Sequence, residues 1–199
     1  MNNSISLETH FNEKETYGQD NEEEVYGKKI EYAFISELDM LSSLSMKAFE
    51  DLDRAIKRSD ECGIWYSIHM LLFTYGGISR LLSQIIKLSE KNPNSPKVQD
   101  LKSFNEIYSK LSIKQDELME NFGKNLEGWI VDPRNNRIMD NYIFERSAVP
   151  SMDVTQMLRH FDPETYELTF RNKTYDLKQD QQEVQKIKQN VEDLYMKNI

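Results

Sequence analysis

The segment GIWYSIHMLLFTYGGISRLLSQII, residues 63–86, constrains the fold more than any other part of the chain. It predicts a helix over about residues 64–91 that is apolar almost all round. A helix without a broad polar face is covered by its neighbours, so we expect it at the centre of a helical bundle. Gly76 and Gly77 inside it each cost about 1 kcal/mol relative to alanine. We expect them to admit a closely packed neighbouring helix, with a hinge as the alternative.

Two further long helices are predicted, at residues 28–59 and 178–197. In both, apolar or small side chains recur at spacings of three and four, which places them on one stripe of a helix. The stripe of the first consists of Ile30, Phe34, Leu38, Leu41, Ser45, Ala48, Leu52 and Ala55. The seam of the last is heptad-like and consists of Val184, Ile187, Val191 and Leu194.

The region between these helices is predicted to contain short elements. TYELTF and KTYDL alternate polar and apolar residues around Arg171 and Asn172, which indicates a β-hairpin. Residues 132–153 are predicted to be irregular. Short helices are predicted at 96–111, 113–131 and 154–161. Together these elements predict an all-α fold: a bundle of about five helices with one small β-hairpin before the C-terminal helix.

Acidic residues are concentrated at the start of the chain. Residues 1–26 hold seven acidic side chains and one basic one, whereas the formal charge of all 199 residues is -9. We expect residues 1–26 to be a disordered acidic tail and residues 27–199 to form one domain. Because the domain itself is nearly balanced in charge, its charge neither indicates nor excludes binding of nucleic acid.

Other features of the sequence restrict the expected cellular compartment and the expected chemistry. The N-terminus lacks the basic and apolar regions of a signal peptide, and no run of roughly 18 apolar residues is present, so we expect no membrane contact. Cys62 is the only cysteine, which excludes a disulfide framework and fits the reducing cytoplasm. His10, His69 and His160 are scattered without carboxylates at ligand spacing, so we expect no metal site and no cofactor.

Particular roles are expected for two of these histidines and for residues of the irregular segment. His69 is expected to be a hydrogen-bonded histidine of the core, and His160, next to Arg159, to brace a loop or lie on the surface. In the irregular segment, arginines lie before and after two aromatic residues, a composition that binds single-stranded nucleic acid or braces the loop on the bundle. The candidate binding residues there are Arg134, Arg137, Tyr142 and Arg146.

The stretches IWYSIHMLLFTYGGISRLL, MENFGKNLEGW and LRHFDPETYELTFRNKTYDL occur in this order within residues 30–197. Together they resemble bacterial proteins of the HEPN superfamily. The resemblance implies a helical bundle, often a homodimer and often an RNA-cleaving toxin or defence nuclease. The motif of that family is an arginine followed four to six residues later by a histidine. It implies metal-independent cleavage, in which these two residues handle protons and transition-state charge.

The segment QDELMENFGKNLEGW, residues 115–129, departs from this motif. Asp116 stands where the resemblance implies the arginine and Asn121 where it implies the histidine, with Glu120 in place before it. Asparagine cannot exchange protons near neutral pH, and an aspartate repels phosphate. A bundle helix with the same apolar spacing would also produce this frame without any relation to the family.

These observations predict a catalytically silent HEPN-like protein, acting as a homodimer on a protein partner or on RNA. By resemblance, the setting is a toxin–antitoxin or phage-defence system. Asp116, Glu120 and Asn121 mark the remnant motif. Two alternatives stay open: an active metal-independent ribonuclease that uses His160 and Arg159, and an interaction protein without a nucleic-acid role that docks through its acidic tail.

Overall fold

A computed structural model of the chain describes residues 22–91, 103–122, 138–154, 157–170 and 173–197. The chain divides into two units, Met1–Ala33 and Phe34–Ile199. In the first unit, residues 22–33 are helical, so the last five residues of the predicted acidic tail belong to a helix. The rest of that predicted tail, residues 1–21, lies outside the described residues.

The helices follow the predicted periodicity. They are α1 (Glu22–Lys57), α2 (Glu61–Lys91), α3 (Ser103–Lys110), α4 (Gln115–Phe122) and α5 (Leu177–Lys197). The three long helices are confirmed, although α1 begins before the predicted start. The predicted extensions of α3 over residues 96–102 and of α4 over residues 123–131 lie outside the described part of the chain.

Helix α2 lies at the centre of the second unit, as predicted. It contacts α3, α4 and α5, and its buried side chains include Ile64, Ile68, Leu71, Tyr75, Ile78, Leu82 and Ile85. A Cβ atom on Gly77 would lie 3.0 Å from Leu41 of α1, and one on Gly76 would lie 3.3 Å from Leu118 of α4. The predicted close approach at the two glycines is therefore confirmed on both sides.

A buried polar group joins the three long helices. The side-chain oxygen of Gln181 in α5 accepts hydrogen bonds from the Tyr75 hydroxyl of α2 at 2.9 Å and from the Ser45 hydroxyl of α1 at 3.0 Å. The predicted seam of α5 is buried beside it. Because each of these polar atoms has a partner, the core bears them without the cost of an unsatisfied group.

The strands form one mixed sheet, and the all-α prediction is therefore wrong. They are β1 (Ile138–Ile143), β2 (Met157–Asp162), β3 (Glu167–Phe170) and β4 (Lys173–Asp176), in the order β1-β2-β3-β4. β1 runs parallel to β2, and the other pairs are antiparallel. β3 and β4 are the predicted hairpin, whose turn at residues 171–172 lies outside the described residues. The fold is α+β.

Two predictions failed where β1 and β2 lie. Residues 154–161 were expected to be helical, but Met157–Asp162 form β2; Met157 and Phe161 are four residues apart, a spacing that shares a face in a strand as well as in a helix. The segment 132–153, expected to be irregular, contains β1 and a short 3-10 helix at Arg146–Ala148. A shift of register between Ile138 and Asn141 interrupts the pairing of β1 with β2.

None of the helices in the described ranges is long and apolar enough to cross a membrane.

Candidate functional site

The predicted motif position Asp116 lies in a cleft of about 300 Å³ between α2, α3 and α4. Asp116 is in the first turn of α4 and is exposed. The start of α4 is held by a 2.8 Å hydrogen bond from the backbone N–H of Gln115 to the Ser79 hydroxyl of α2. The side chains of Glu120 and Asn121 lie outside the described residues. The lining residues of this α2–α4 cleft are Ser79, Arg80, Ser83, Gln84, Lys87, Tyr108, Gln115 and Asp116.

Two cations face Asp116 across the α2–α4 cleft. Arg80 and Lys87 are seven residues apart on α2, so both project on the same side of the helix. Both are exposed, and neither forms an ion pair within the described part of the chain. The cleft thus carries two positive charges and one negative charge, an arrangement that favours a bound anion.

The alternative catalytic pair, Arg159 and His160, is split between the two faces of the sheet, because successive residues of a strand point in opposite directions. His160 is fully buried. Its Nε2 donates a hydrogen bond to the carbonyl oxygen of Phe144 at 2.9 Å. Burial lowers the pKa of His160. His160 therefore braces the segment that follows β1, one of the two expected roles.

Arg159 instead contacts another histidine. Its Nη1 lies 3.1 Å from Nε2 of His69 on α2, and its guanidinium carbon lies 5.4 Å from the centre of the Phe170 ring. Since a guanidinium only donates, Nε2 of His69 accepts, and Nδ1 donates to the carbonyl of Trp65 at 2.6 Å. His69 is exposed, so the prediction of a core histidine is wrong.

Two aromatic rings flank this Arg159–His69 contact. Tyr66 and Phe73 are 64% and 67% exposed, and they precede and follow His69 by three and four residues. These spacings place all three side chains on one face of α2. Exposed rings next to cations provide stacking surfaces for nucleotide bases. We call this surface the outer face of α2; its residues are Tyr66, His69, Phe73, Arg80, Gln84 and Lys87, joined by Arg159 from β2.

A second cavity, of about 310 Å³, lies where α1 turns into α2. Arg54 forms an ion pair with Asp51. The Asp60 side chain accepts a hydrogen bond from the backbone N–H of Gly63 at 2.9 Å and so caps α2. We call this cavity the α1–α2 pocket; it is lined by Asp51, Arg54, Ala55, Arg58, Asp60, Gly63, Tyr66 and Ser67.

The other predicted binding residues lie apart from these sites. Tyr142 of β1 is half-buried and pairs with His160 in register. Arg146 is exposed, and its Nη1 contacts Glu167 at 3.2 Å, while its backbone N–H donates to Asp162 at 3.0 Å. These contacts match the loop-bracing interpretation of Arg146. Arg134 and Arg137 lie outside the described residues.

The described ranges contain no group of three or more His, Cys, Asp or Glu side chains that could hold a metal ion. Cys62 is exposed near the start of α2. The chain matches no family model, no curated protein and no solved structure with which it was compared. The chemistry of the two cavities and of the outer face of α2 therefore carries the functional interpretation.

Proposed function

We propose that this chain is a HEPN-like protein that binds single-stranded RNA along the outer face of α2 without cleaving it. The observation that carries the proposal is the 3.1 Å contact between Arg159 and His69, flanked by exposed Tyr66 and Phe73. Guanidinium groups bind phosphates, and exposed rings stack on bases of any sequence. A protein of this kind would act in the cytoplasm, where an exposed single cysteine stays reduced.

The length and charge of the surface support a strand as the ligand. Tyr66 and Phe73 are seven residues apart, or roughly 10 Å along a helix, and Lys87 lies roughly 20 Å beyond Phe73. Arg80 and Lys87 add positive charge at that end of the face. Several separate contacts to one flexible strand bind it more tightly than any one contact alone.

Two observations support binding without cleavage. Asp116 places a carboxylate beside Arg80 and Lys87, where an arginine would stabilise a phosphate in its transition state. The sequence carries Asn121 where a proton-exchanging histidine is implied by the resemblance. Removal of one acid–base group typically lowers a rate by about 100-fold or more.

The contact between Arg159 and His69 also favours a second candidate function, a metal-independent ribonuclease. If the guanidinium of Arg159 moves from Nε2 of His69 to a phosphate oxygen, this exposed Nε2 could accept the proton of a ribose 2′-hydroxyl while the arginine stabilises the phosphate. This candidate replaces His160, which is buried, with His69 as the base.

One experiment separates the two functions. A fluorescently labelled single-stranded RNA is mixed with the purified protein without added metal; binding is read by anisotropy and cleavage on a denaturing gel. Binding with intact RNA supports the proposed function. Cleavage that disappears in His69→Ala establishes the ribonuclease instead, and absence of binding at low salt contradicts both.

A further inference from the structure

We propose that the α1–α2 pocket seats the terminal phosphate group of the bound RNA strand. This inference rests on the proposed function, because the pocket continues the outer face of α2. Tyr66 belongs to both surfaces: its ring lies one turn from His69 and also lines the pocket. A base stacked on Tyr66 would therefore hold its own phosphate at the mouth of the pocket.

Ser67 provides the first evidence that the pocket accepts a ligand. Its side chain is 2% exposed, and it lines the cavity. No hydrogen bond to its hydroxyl occurs within the described part of the chain, and this oxygen is not one of the fully buried polar atoms that lack a partner, so it is accessible from the cavity. A phosphate oxygen in the pocket would accept a hydrogen bond from this hydroxyl.

Two arginines supply the positive charge. Arg58 is exposed at the end of α1, and no ion pair to it occurs within the described ranges. Arg54 is paired with Asp51, but a guanidinium has five N–H donors, and that contact leaves others available. Two arginines in one cavity match the geometry of a phosphate, whose oxygens accept two parallel hydrogen bonds from a guanidinium.

The acidic residues of the pocket are already engaged. Asp51 binds Arg54, and the side chain of Asp60 accepts the N–H of Gly63, while the Asp60 carbonyl accepts the N–H of Ile64 at 2.9 Å. The N-terminus of α2 adjoins the pocket, but its helix dipole is already balanced by the Asp60 cap and by Glu61 in the first turn. An incoming phosphate therefore depends on Arg58 and on the remaining N–H donors of Arg54.

The position of the pocket favours a terminal phosphate over an internal one. Arg58 and Asp60, which lie in the turn between α1 and α2, form part of its lining, so the outer face of α2 ends there. A terminal phosphate also carries more negative charge than an internal phosphodiester, because its second ionisation lies near pH 6. It gains correspondingly more from a guanidinium.

The test compares one RNA sequence with a 5′-phosphate, a 3′-phosphate or hydroxyl groups at both ends. We expect a phosphate at one end to raise the affinity of the wild type about tenfold, the effect of one charge-assisted hydrogen bond. In Arg58→Ala and Ser67→Ala, we expect the ratio of phosphorylated to unphosphorylated affinity to fall to about one. The matched controls, Arg146→Ala and Ser109→Ala, should keep the wild-type ratio.

The outcomes distinguish this inference from the proposed function. If all three RNAs bind the wild type equally, RNA binding stands and the phosphate site is wrong. If a terminal phosphate helps but its effect survives in both pocket variants, the phosphate binds elsewhere, and the inference is also wrong. If none of the RNAs binds, the proposed function and the inference fail together.

Discussion

Asp180 of α5 accepts two hydrogen bonds from Ser112, one from the backbone N–H at 2.5 Å and one from the hydroxyl at 2.9 Å. The backbone N–H of Ile113 adds a third at 3.1 Å. Because residues 111–114 join α3 to α4, this buried carboxyl group ties the connection to α5. It thereby positions the start of α4 and one wall of the α2–α4 cleft.

Asp180 should make stability depend on pH. Burial raises the pKa of Asp180 to about 6, above about 3.9 in the unfolded chain. A raised pKa contributes stability that is present below pH 4 and is lost as the pH rises through 6. Between pH 4 and pH 7, the free energy of unfolding of the wild type should therefore fall by about 2 kcal/mol relative to that of Asp180→Asn. Denaturant titrations at both pH values measure this, with exposed Asp193→Asn as the control; parallel curves for wild type and Asp180→Asn would contradict it.

The close approach of α4 to α2 should make Gly76 intolerant of a branched side chain. Even a single Cβ atom added at Gly76 would contact Gln115 and Leu118. We expect Gly76→Val to lower the free energy of unfolding by about 2 kcal/mol, because overpacking forces the helices apart. The control is Gln84→Val at an exposed position of α2, for which we expect a change of at most about 0.5 kcal/mol. Equal stability of both variants would rule out a tight contact at Gly76.

The exposed rings should contribute directly to RNA affinity. Loss of one base-stacking ring costs about 1–3 kcal/mol, so Tyr66→Ala and Phe73→Ala should each weaken binding about tenfold. Tyr32→Ala removes an equally exposed ring from α1 and should have little effect. Anisotropy titrations compare the three variants; a loss in Tyr32→Ala as large as in the other two would remove the specific role of the outer face of α2.

The cations of the α2–α4 cleft should contribute to the salt dependence of RNA affinity. Each phosphate contact to a single strand adds about 0.7 to the slope of log affinity against log salt concentration. We therefore expect Arg80→Gln and Lys87→Gln each to reduce that slope by about 0.7. Lys47 is exposed on α1 and paired with Glu50 and Asp51, so Lys47→Gln should leave the slope unchanged. An unchanged slope in both cleft variants would exclude phosphate contacts there.

Restoring the two motif residues tests whether their replacement explains the proposed lack of RNA cleavage. We expect Asp116→Arg combined with Asn121→His to cleave single-stranded RNA without metal, because it supplies a phosphate-stabilising cation and a proton-exchanging group. The control is Asp116→Arg with Asn121→Gln, which adds the cation alone. Cleavage by both proteins is compared on denaturing gels. If neither protein cleaves the RNA, the segment is an ordinary amphipathic helix.

The parts of the fold that were predicted correctly depend on local periodicity. Each of the three long helices was predicted from the spacing of its own residues: the apolar stripe of α1, the apolar residues on all sides of α2 and the seam of α5. β2 could not be predicted from its own residues, because Phe161 belongs to a strand only through its pairing with Leu168 and Ile143. The sheet therefore depends on contacts between segments that neither segment specifies alone.

Two residues of the candidate site, Asp116 and Arg159, were predicted from the sequence, although Arg159 was paired with His160 and not with His69. His69 was assigned to the core because its neighbours in sequence are apolar, although its spacing from Tyr66 and Phe73 places the three on one face. The same spacing leads on to Arg80, so this signal was present in the sequence. The partner of His69, Arg159, is 90 residues away, and no local pattern connects them.

The hydrogen bonds of Gln181 have a consequence for how the chain folds. Tyr75 and Gln181 are separated by 106 residues, and Ser45 and Gln181 by 136. During synthesis, α1 and α2 therefore emerge long before α5, and the parts of α1 and α2 that pack against α5 stay exposed in the meantime. Contacts of such long range slow folding. Truncation before α5 should therefore leave this apolar surface exposed and yield an aggregating product.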